Sequence, residues 1–142
     1  ILEQIEINNA LEFNGLGTGA AVADIDNDGI LELLISHGEM GYQPLTLYKA
    51  KNNDNNFLRI KPLNMYGAPA RGATVTLYSN LRTHSKTIDA GSGYLCQMEP
   101  VAHYGIRKNE KNISVKVTWT NGSEETFKIK NLNETIEIKQ KN

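Results

Sequence analysis

The sequence is poor in cysteine, in aromatic side chains and in excess charge of either sign. Its single cysteine, Cys96, excludes an internal disulfide and any metal site that needs several thiolates. With 15 Lys and Arg against 16 Asp and Glu, the chain has no basic excess for binding nucleic acid or an anionic membrane. No run approaches the roughly 18 apolar residues of a membrane span. We therefore expect neither nucleic-acid binding nor membrane insertion.

The sequence does contain many short blocks in which apolar and polar residues alternate, as they do in half-buried strands. Val115, Val117 and Trp119 form one such block, and Asn121-Gly122 after it suits a tight hairpin turn. No apolar stripe with helical spacing extends beyond about ten residues. We therefore predict an all-β protein, with strands at 3–7, 19–25, 31–36, 45–49, 57–61, 73–78, 85–89, 94–98, 115–120, 126–129 and 136–139, and one more around His103.

Six polar residues at 51–56 divide these strands into two groups and predict a linker. Residues 1–50 carry the four short strands of one propeller blade, and residues 57–142 carry enough strands for a small β-sandwich. One blade cannot bury both of its faces alone. We therefore expect partners in the form of the remaining blades, from the same protein or a companion chain. A chain that starts at Ile1 also suggests a processed product or a piece of a longer protein.

The acidic loop that runs from Asp24 to Glu32 is the sharpest chemical signal. Its alternate carboxylates converge in a tight turn that Gly29 permits, and hard oxygen donors of this kind suit Ca²⁺. An EF-hand is excluded, because its twelfth position is Ile35 and the flanking segments are predicted strands. The alternative is a solvated acidic hairpin without metal. We predict a structural calcium ion held by the side chains of Asp24, Asp26, Asp28 and Glu32 and by the carbonyl of Ile30.

Two stretches of the chain resemble known families. Residues 17–29 resemble the FG-GAP repeat of integrin-type β-propellers, in which such loops bind calcium. Residues 67–75, 91–96, 99–106 and 117–122 resemble the ASPIC/UnbV domain, although Thr120 replaces the usual proline. The resemblance implies the last FG-GAP blade followed by a small transthyretin-like β-sandwich. It also implies the C-terminal part of a secreted, non-enzymatic protein that acts in the extracellular matrix or at cell-surface receptors.

Two other functions compete with this interpretation. Cys96 and His103 could form the thiol and base of a cysteine hydrolase, but the strand predicted at 94–98 favours a buried free thiol. A prokaryotic-type secreted surface or carbohydrate-binding protein would need an exposed aromatic platform, whereas Trp119 is on the core side of its strand. We expect structural roles for His37, His84 and His103, and for Arg71, which we expect to pair with an acidic group such as Glu99.

Three N-x-Ser/Thr sequons are candidates for glycosylation and would suit a secreted protein. They begin at Asn112, Asn121 and Asn133.

Overall fold

The protein is all-β, as predicted. The computed structural model describes residues 17–38, 45–51, 54–94 and 96–141, and the predicted strand 3–7 lies outside this part. Within it no helix is long and apolar enough to cross a membrane. The strands are β1 (Gly17–Ala23), β2 (Glu32–His37), β3 (Leu45–Lys49), β4 (Asn56–Leu63), β5 (Thr74–Tyr78), β6 (Thr83–Thr87), β7 (Ala102–Ile106), β8 (Ser114–Thr118), β9 (Glu124–Lys128) and β10 (Glu134–Lys139).

The first sheet is an antiparallel meander of β1, β2 and β3. Leu34 of β2 lies opposite Leu47 of β3 on one face, and Leu33 lies opposite Tyr48 on the other. Apolar side chains therefore occur on both faces, in the pattern of a strand that is covered from two sides. The register also places Glu32 directly beside Lys49 at the end of the sheet that carries the acidic loop.

Two further sheets pack into a β-sandwich. One has the order β10-β4-β7, with β10 parallel to β4, and the other has the order β6-β5-β8-β9. Leu58 and Ile60 of the first sheet and Val75 and Val117 of the second belong to one buried cluster, so the two sheets share a core. Trp119 is 3% exposed and belongs to the same cluster, which confirms the predicted strand phase.

A few buried polar side chains form hydrogen bonds within the sandwich. The Tyr104 hydroxyl on β7 donates to the carbonyl of Val75 on β5 at 2.9 Å and so links the two sheets. Burial acts to raise the pKa of the Glu110 carboxyl. Hydrogen bonds from Ser79, Arg82 and the Arg107 amide outweigh burial and leave that pKa below its usual value. Glu110 is therefore a buried carboxylate that stays ionised.

Contacts divide the chain into two compact units. The first contains the chain up to Lys51 together with Gly91–Met98, and the second contains Asn52–Ala90 and Glu99–Asn142. The linker predicted at 51–56 assigns residues 91–98 to the second domain, whereas these contacts group them with the first unit.

The strand predicted at 94–98 is wrong, because the described residues of this segment are irregular. Gly91 and Gly93 adopt φ values of 143° and 100°, which turn the chain instead of extending it.

Candidate metal site

The acidic loop connects β1 to β2, and its backbone is folded around its own carboxylates. Asp24 Oδ2 accepts from the Gly29 amide at 3.1 Å, and Asp28 Oδ1 accepts from the Ile30 amide at 2.8 Å. Asn27 and Gly29 have φ values of 60° and 85°, which these two residue types tolerate best. The local sequence thus turns the loop tightly enough for its side chains to converge.

Three of the predicted side-chain ligands lie together. Carboxylate oxygens of Asp24, Asp26 and Asp28 are within 4.8 Å of one another. Among the described residues, this is the one group of three or more acidic, histidine or cysteine side chains with such spacing. Asp24 is buried and the other two are exposed, so the cluster opens to solvent on one side.

Glu32 lies at the start of β2, at the other end of the loop, and it does not belong to the group of three converging carboxylates. Its side chain is 4% exposed, and Oε2 accepts from the Ile25 amide at 2.9 Å. Oε1 is buried and has no hydrogen-bond partner within the described part of the chain. A buried carboxylate oxygen without a hydrogen bond is costly unless a cation satisfies it. The donor set of hard oxygens and this buried atom therefore fit a calcium ion.

Lys49 is a basic side chain that the structure brings to this cluster. Its ammonium forms ion pairs with Asp26 and, at 2.8 Å, with Asp28 Oδ2, and it lies 3.7 Å from Glu32 Oε1. Hydrogen bonds from Lys49 and from the Ile30 amide hold the pKa of Asp28 below its usual value. Hydrogen bonds to Asp26 and Asp28 in turn raise the pKa of Lys49.

Sequence reasoning missed Lys49. The residue lies 17 positions after Glu32, and nothing in the local pattern shows which residue of β3 pairs with which residue of β2. A prediction of the β2–β3 register would have found it, since cross-strand neighbours share a face of the sheet. The carbonyl of Ile30 stays a predicted ligand.

Cys96 is a free cysteine, as expected, but its exposure is intermediate, so the expectation that this thiol is buried is wrong. Its Sγ donates to the carbonyl oxygens of Ala20 at 3.2 Å and Ser92 at 3.3 Å. These backbone acceptors are not bases that could activate a nucleophile.

The three histidines lie in separate contacts. His37 Nε2 is 2.7 Å from Thr46 Oγ1. His84 meets Tyr104 edge-to-face, and His103 stacks on Phe57 with ring centroids 6.2 Å apart. Each ring is thus placed by a neighbouring side chain on its own unit, in line with the structural roles expected for them.

The expected pairing of Arg71 with Glu99 is wrong. Arg71 Nη1 donates to the carbonyl oxygen of Asp89 at 2.8 Å, whereas Glu99 forms its ion pair with Arg59. Arg59 lies on β4, and its side chain is almost fully buried. The Glu99 carboxylate therefore compensates a guanidinium charge that folding removes from water.

All three sequon asparagines are exposed. Asn121 Oδ1 accepts from the Ser123 amide at 3.0 Å and from its hydroxyl at 2.7 Å, within the predicted turn. Asn133 Oδ1 accepts from the Phe57 amide at 2.9 Å. Glycosylation at these positions and at Asn112 stays a prediction.

Comparison with known proteins gives one matching family. Residues 66–142 match the family described as ASPIC and UnbV, which is more than half of the chain and includes β5 to β10. The predicted resemblance of this part of the sequence is thereby confirmed.

Similar proteins carry the name cartilage acidic protein 1. The chain is 48% identical to the one from Homo sapiens over 124 residues and 50% identical to the one from Xenopus tropicalis over 123 residues. These matches cover 86% and 85% of this chain but only 19% of each relative, so the chain spans about a fifth of their length. The match to the human protein leaves about 20 of the 142 residues of this chain uncovered. A continuous match of that length includes the acidic loop, whichever residue the match begins at.

Proposed function

The chain belongs to the ASPIC and UnbV family, and we propose that it is a calcium-binding, non-catalytic interaction module of an extracellular protein. The observation that carries this proposal is the acidic loop, with its three converging aspartates and the buried Glu32 that closes it. The family and the similarity to cartilage acidic protein 1 support the extracellular and interaction parts of the proposal.

Calcium would be held by the carboxylates of Asp24, Asp26, Asp28 and Glu32 and by the Ile30 carbonyl. When bound, the ion supplies positive charge that lets the four carboxylates remain together. The residues at the two ends of the loop, Asp24 and Glu32, follow β1 and begin β2, so the ion would fasten these strands to each other. Its role is structural, because the neighbouring described residues include no nucleophile with a base.

The non-catalytic part of the proposal is supported by the surroundings of the candidate nucleophile. A cysteine hydrolase needs its thiol hydrogen-bonded to a base, and the Cys96 thiol donates to two backbone carbonyls instead. A sugar-binding platform built on Trp119 is disfavoured as well, because that side chain lies in the sandwich core. These contacts leave the interaction module as the better-supported function.

The proposed location and partners are supported by surface features. The relatives are named for cartilage, a tissue made largely of extracellular matrix, and the three exposed sequons suit passage through a secretory pathway. Leu45 and Leu47 on β3 are both exposed, although alternate residues of a strand that faces solvent are normally polar. We propose that these leucines contact further propeller blades of the same protein. The matrix or cell-surface protein that binds this chain and those blades would contact surfaces other than Leu45 and Leu47.

The test is thermal unfolding in EDTA and in calcium, combined with calorimetric titration of calcium. Binding to the folded loop alone stabilises the protein by about 2.7 kcal/mol at a calcium concentration of 100 Kd. Asp26→Asn should remove most of that stabilisation, because Asp26 is one of the three converging carboxylates. Identical unfolding curves in EDTA and calcium, with no heat of binding, would show that the loop is not a calcium site.

The matched control is Glu134→Gln, which removes one negative charge from an exposed position on β10. It should leave the calcium effect unchanged. Asn27→Ala is a poor control, because its φ of 60° favours asparagine over alanine and the substitution would strain the loop directly. A calcium effect that falls equally in Asp26→Asn and Glu134→Gln would indicate nonspecific charge screening.

A further inference from the structure

The side chain of Lys49 lies on the same carboxylates that the proposed function assigns to calcium. It reaches them because the antiparallel register of β2 and β3 sets Lys49 directly opposite Glu32. Its ammonium forms ion pairs with Asp26 and with Asp28 Oδ2, the latter at 2.8 Å. One positive charge fixed to the sheet thus neutralises part of a loop that carries four negative charges.

A calcium ion and this ammonium cannot use the same oxygens at once. Calcium lies roughly 2.3–2.6 Å from each of its oxygen ligands, with several ligands around it. An ammonium 2.8 Å from one of those oxygens would lie close to the ion and repel it. Binding of the metal therefore requires the Lys49 side chain to leave the cluster.

The buried carboxylate shows that the ammonium is an incomplete substitute. Lys49 Nζ remains 3.7 Å from Glu32 Oε1, beyond hydrogen-bonding distance. That oxygen is buried, and no described residue donates a hydrogen bond to it. The ammonium pairs with the exposed aspartates, whereas the buried Glu32 Oε1, which faces the same ammonium at 3.7 Å, remains an acceptor without a hydrogen bond.

We propose that Lys49 is a tethered competitor for calcium, which occupies the acidic loop in the absence of the ion and is expelled when the ion binds. This inference rests on the proposed calcium site. It assigns two effects to one side chain: Lys49 stabilises the metal-free loop, and it weakens the affinity of the loop for calcium. Weakening of this kind moves a site toward the roughly 10⁻⁴–10⁻³ M dissociation constants of extracellular calcium modules.

Calorimetric titration of Lys49→Gln tests the affinity. Calcium binding to the parent must break the two exposed ion pairs of Lys49, whereas the variant has no such pairs to break, so its dissociation constant for calcium should be several-fold lower. The same variant should melt at a lower temperature than the parent in EDTA, because its carboxylates then lack a counter-charge. Lys108→Gln is the matched control, since Lys108 is exposed in a turn, and it should change neither quantity.

Chemical acylation of lysines in the unmutated protein gives a second measurement that does not depend on folding of a variant. The ion pairs of Lys49 with Asp26 and Asp28 should protect its amine in EDTA. Calcium should raise the acylation rate of Lys49 several-fold, as read by mass spectrometry, and should leave Lys108 unchanged.

The outcomes separate the two proposals. Calcium binding with equal affinity in the parent and in Lys49→Gln, or acylation of Lys49 that calcium does not change, would overturn the competitor role and leave the calcium site intact. Failure of both proteins to bind calcium would overturn the proposed function and the competitor role with it. Tighter binding in Lys49→Gln together with faster acylation in calcium supports both.

Discussion

The hydroxyl of Tyr104 offers the cleanest test of how the sandwich is held together. The side chain is 1% exposed, and its oxygen donates to the Val75 carbonyl at 2.9 Å, from one sheet to the other. Burial raises the pKa of Tyr104 well above its usual value, although the charge of Arg82 opposes the shift, so the hydroxyl keeps its proton and remains a donor. Tyr104→Phe removes this oxygen and leaves the ring in place.

The expected cost follows from what the substitution leaves behind. A hydrogen bond within a protein contributes about 0.5–1.5 kcal/mol net, and an acceptor left buried without its donor costs about 1–3 kcal/mol. Val75 already belongs to the β5 ladder, which limits the loss to the lower part of these ranges. We expect Tyr104→Phe to lower the free energy of unfolding by about 1–2 kcal/mol, and each kcal/mol lowers the melting temperature of a domain this size by roughly 4–8 °C.

Urea unfolding followed by circular dichroism measures this change directly. Tyr66→Phe is the matched control, because Tyr66 is 87% exposed and its hydroxyl lies at the surface. We expect the control to unfold at the same urea concentration as the parent and Tyr104→Phe to unfold earlier with an unchanged slope. Coincident transitions of the two variants would refute the role of Tyr104 as a hydrogen-bonded link between the sheets.

Two other substitutions probe the same unit. Because the pKa of Glu110 is lowered in the folded state, its stabilising contribution is complete above its unfolded pKa of about 4.5 and is lost as the pH falls through the folded pKa. Glu110→Gln should therefore flatten the loss of stability below about pH 4.5 in acid unfolding experiments, and an unchanged pH profile would contradict the assignment. Trp119→Ala should cost about 3–5 kcal/mol in chemical unfolding, and a variant as stable as the parent would contradict the burial of this ring.

The strands that alternate cleanly were predicted closely. β3 has the predicted bounds of 45–49, and β8 and β9 lie within three residues of prediction on either side of Asn121-Gly122. Their side chains face the core on one side and solvent on the other, so burial imposes a period of two on the sequence. The all-β fold and the convergence of Asp24, Asp26 and Asp28 could be predicted for the same reason, since both depend on neighbouring residues.

Features that depend on distant pairing could not be predicted. The parallel pairing of β10 with β4 joins residues more than 70 positions apart, and no local pattern marks it. Lys49 reaches the acidic loop because the register of β2 and β3 pairs it with Glu32. Glu99 forms its ion pair with Arg59 and not with Arg71, because the fold brings residue 99 next to β4. The strand predicted at 94–98 failed because the glycines before it adopt positive φ values, which the apolar pattern does not reveal.

The membership of Gly91–Met98 in the first unit has a consequence for synthesis of the chain. A ribosome makes the polypeptide from its N-terminus, so the first unit cannot be complete until Met98 has emerged. By then β5 and β6 of the other unit have already been made and can begin to pair, whereas β4 still lacks its partners β7 and β10. The first unit can complete its folding only after Gly91–Met98 is made, and that segment lies between the two parts of the second unit. Folding of the two units therefore overlaps in time during synthesis.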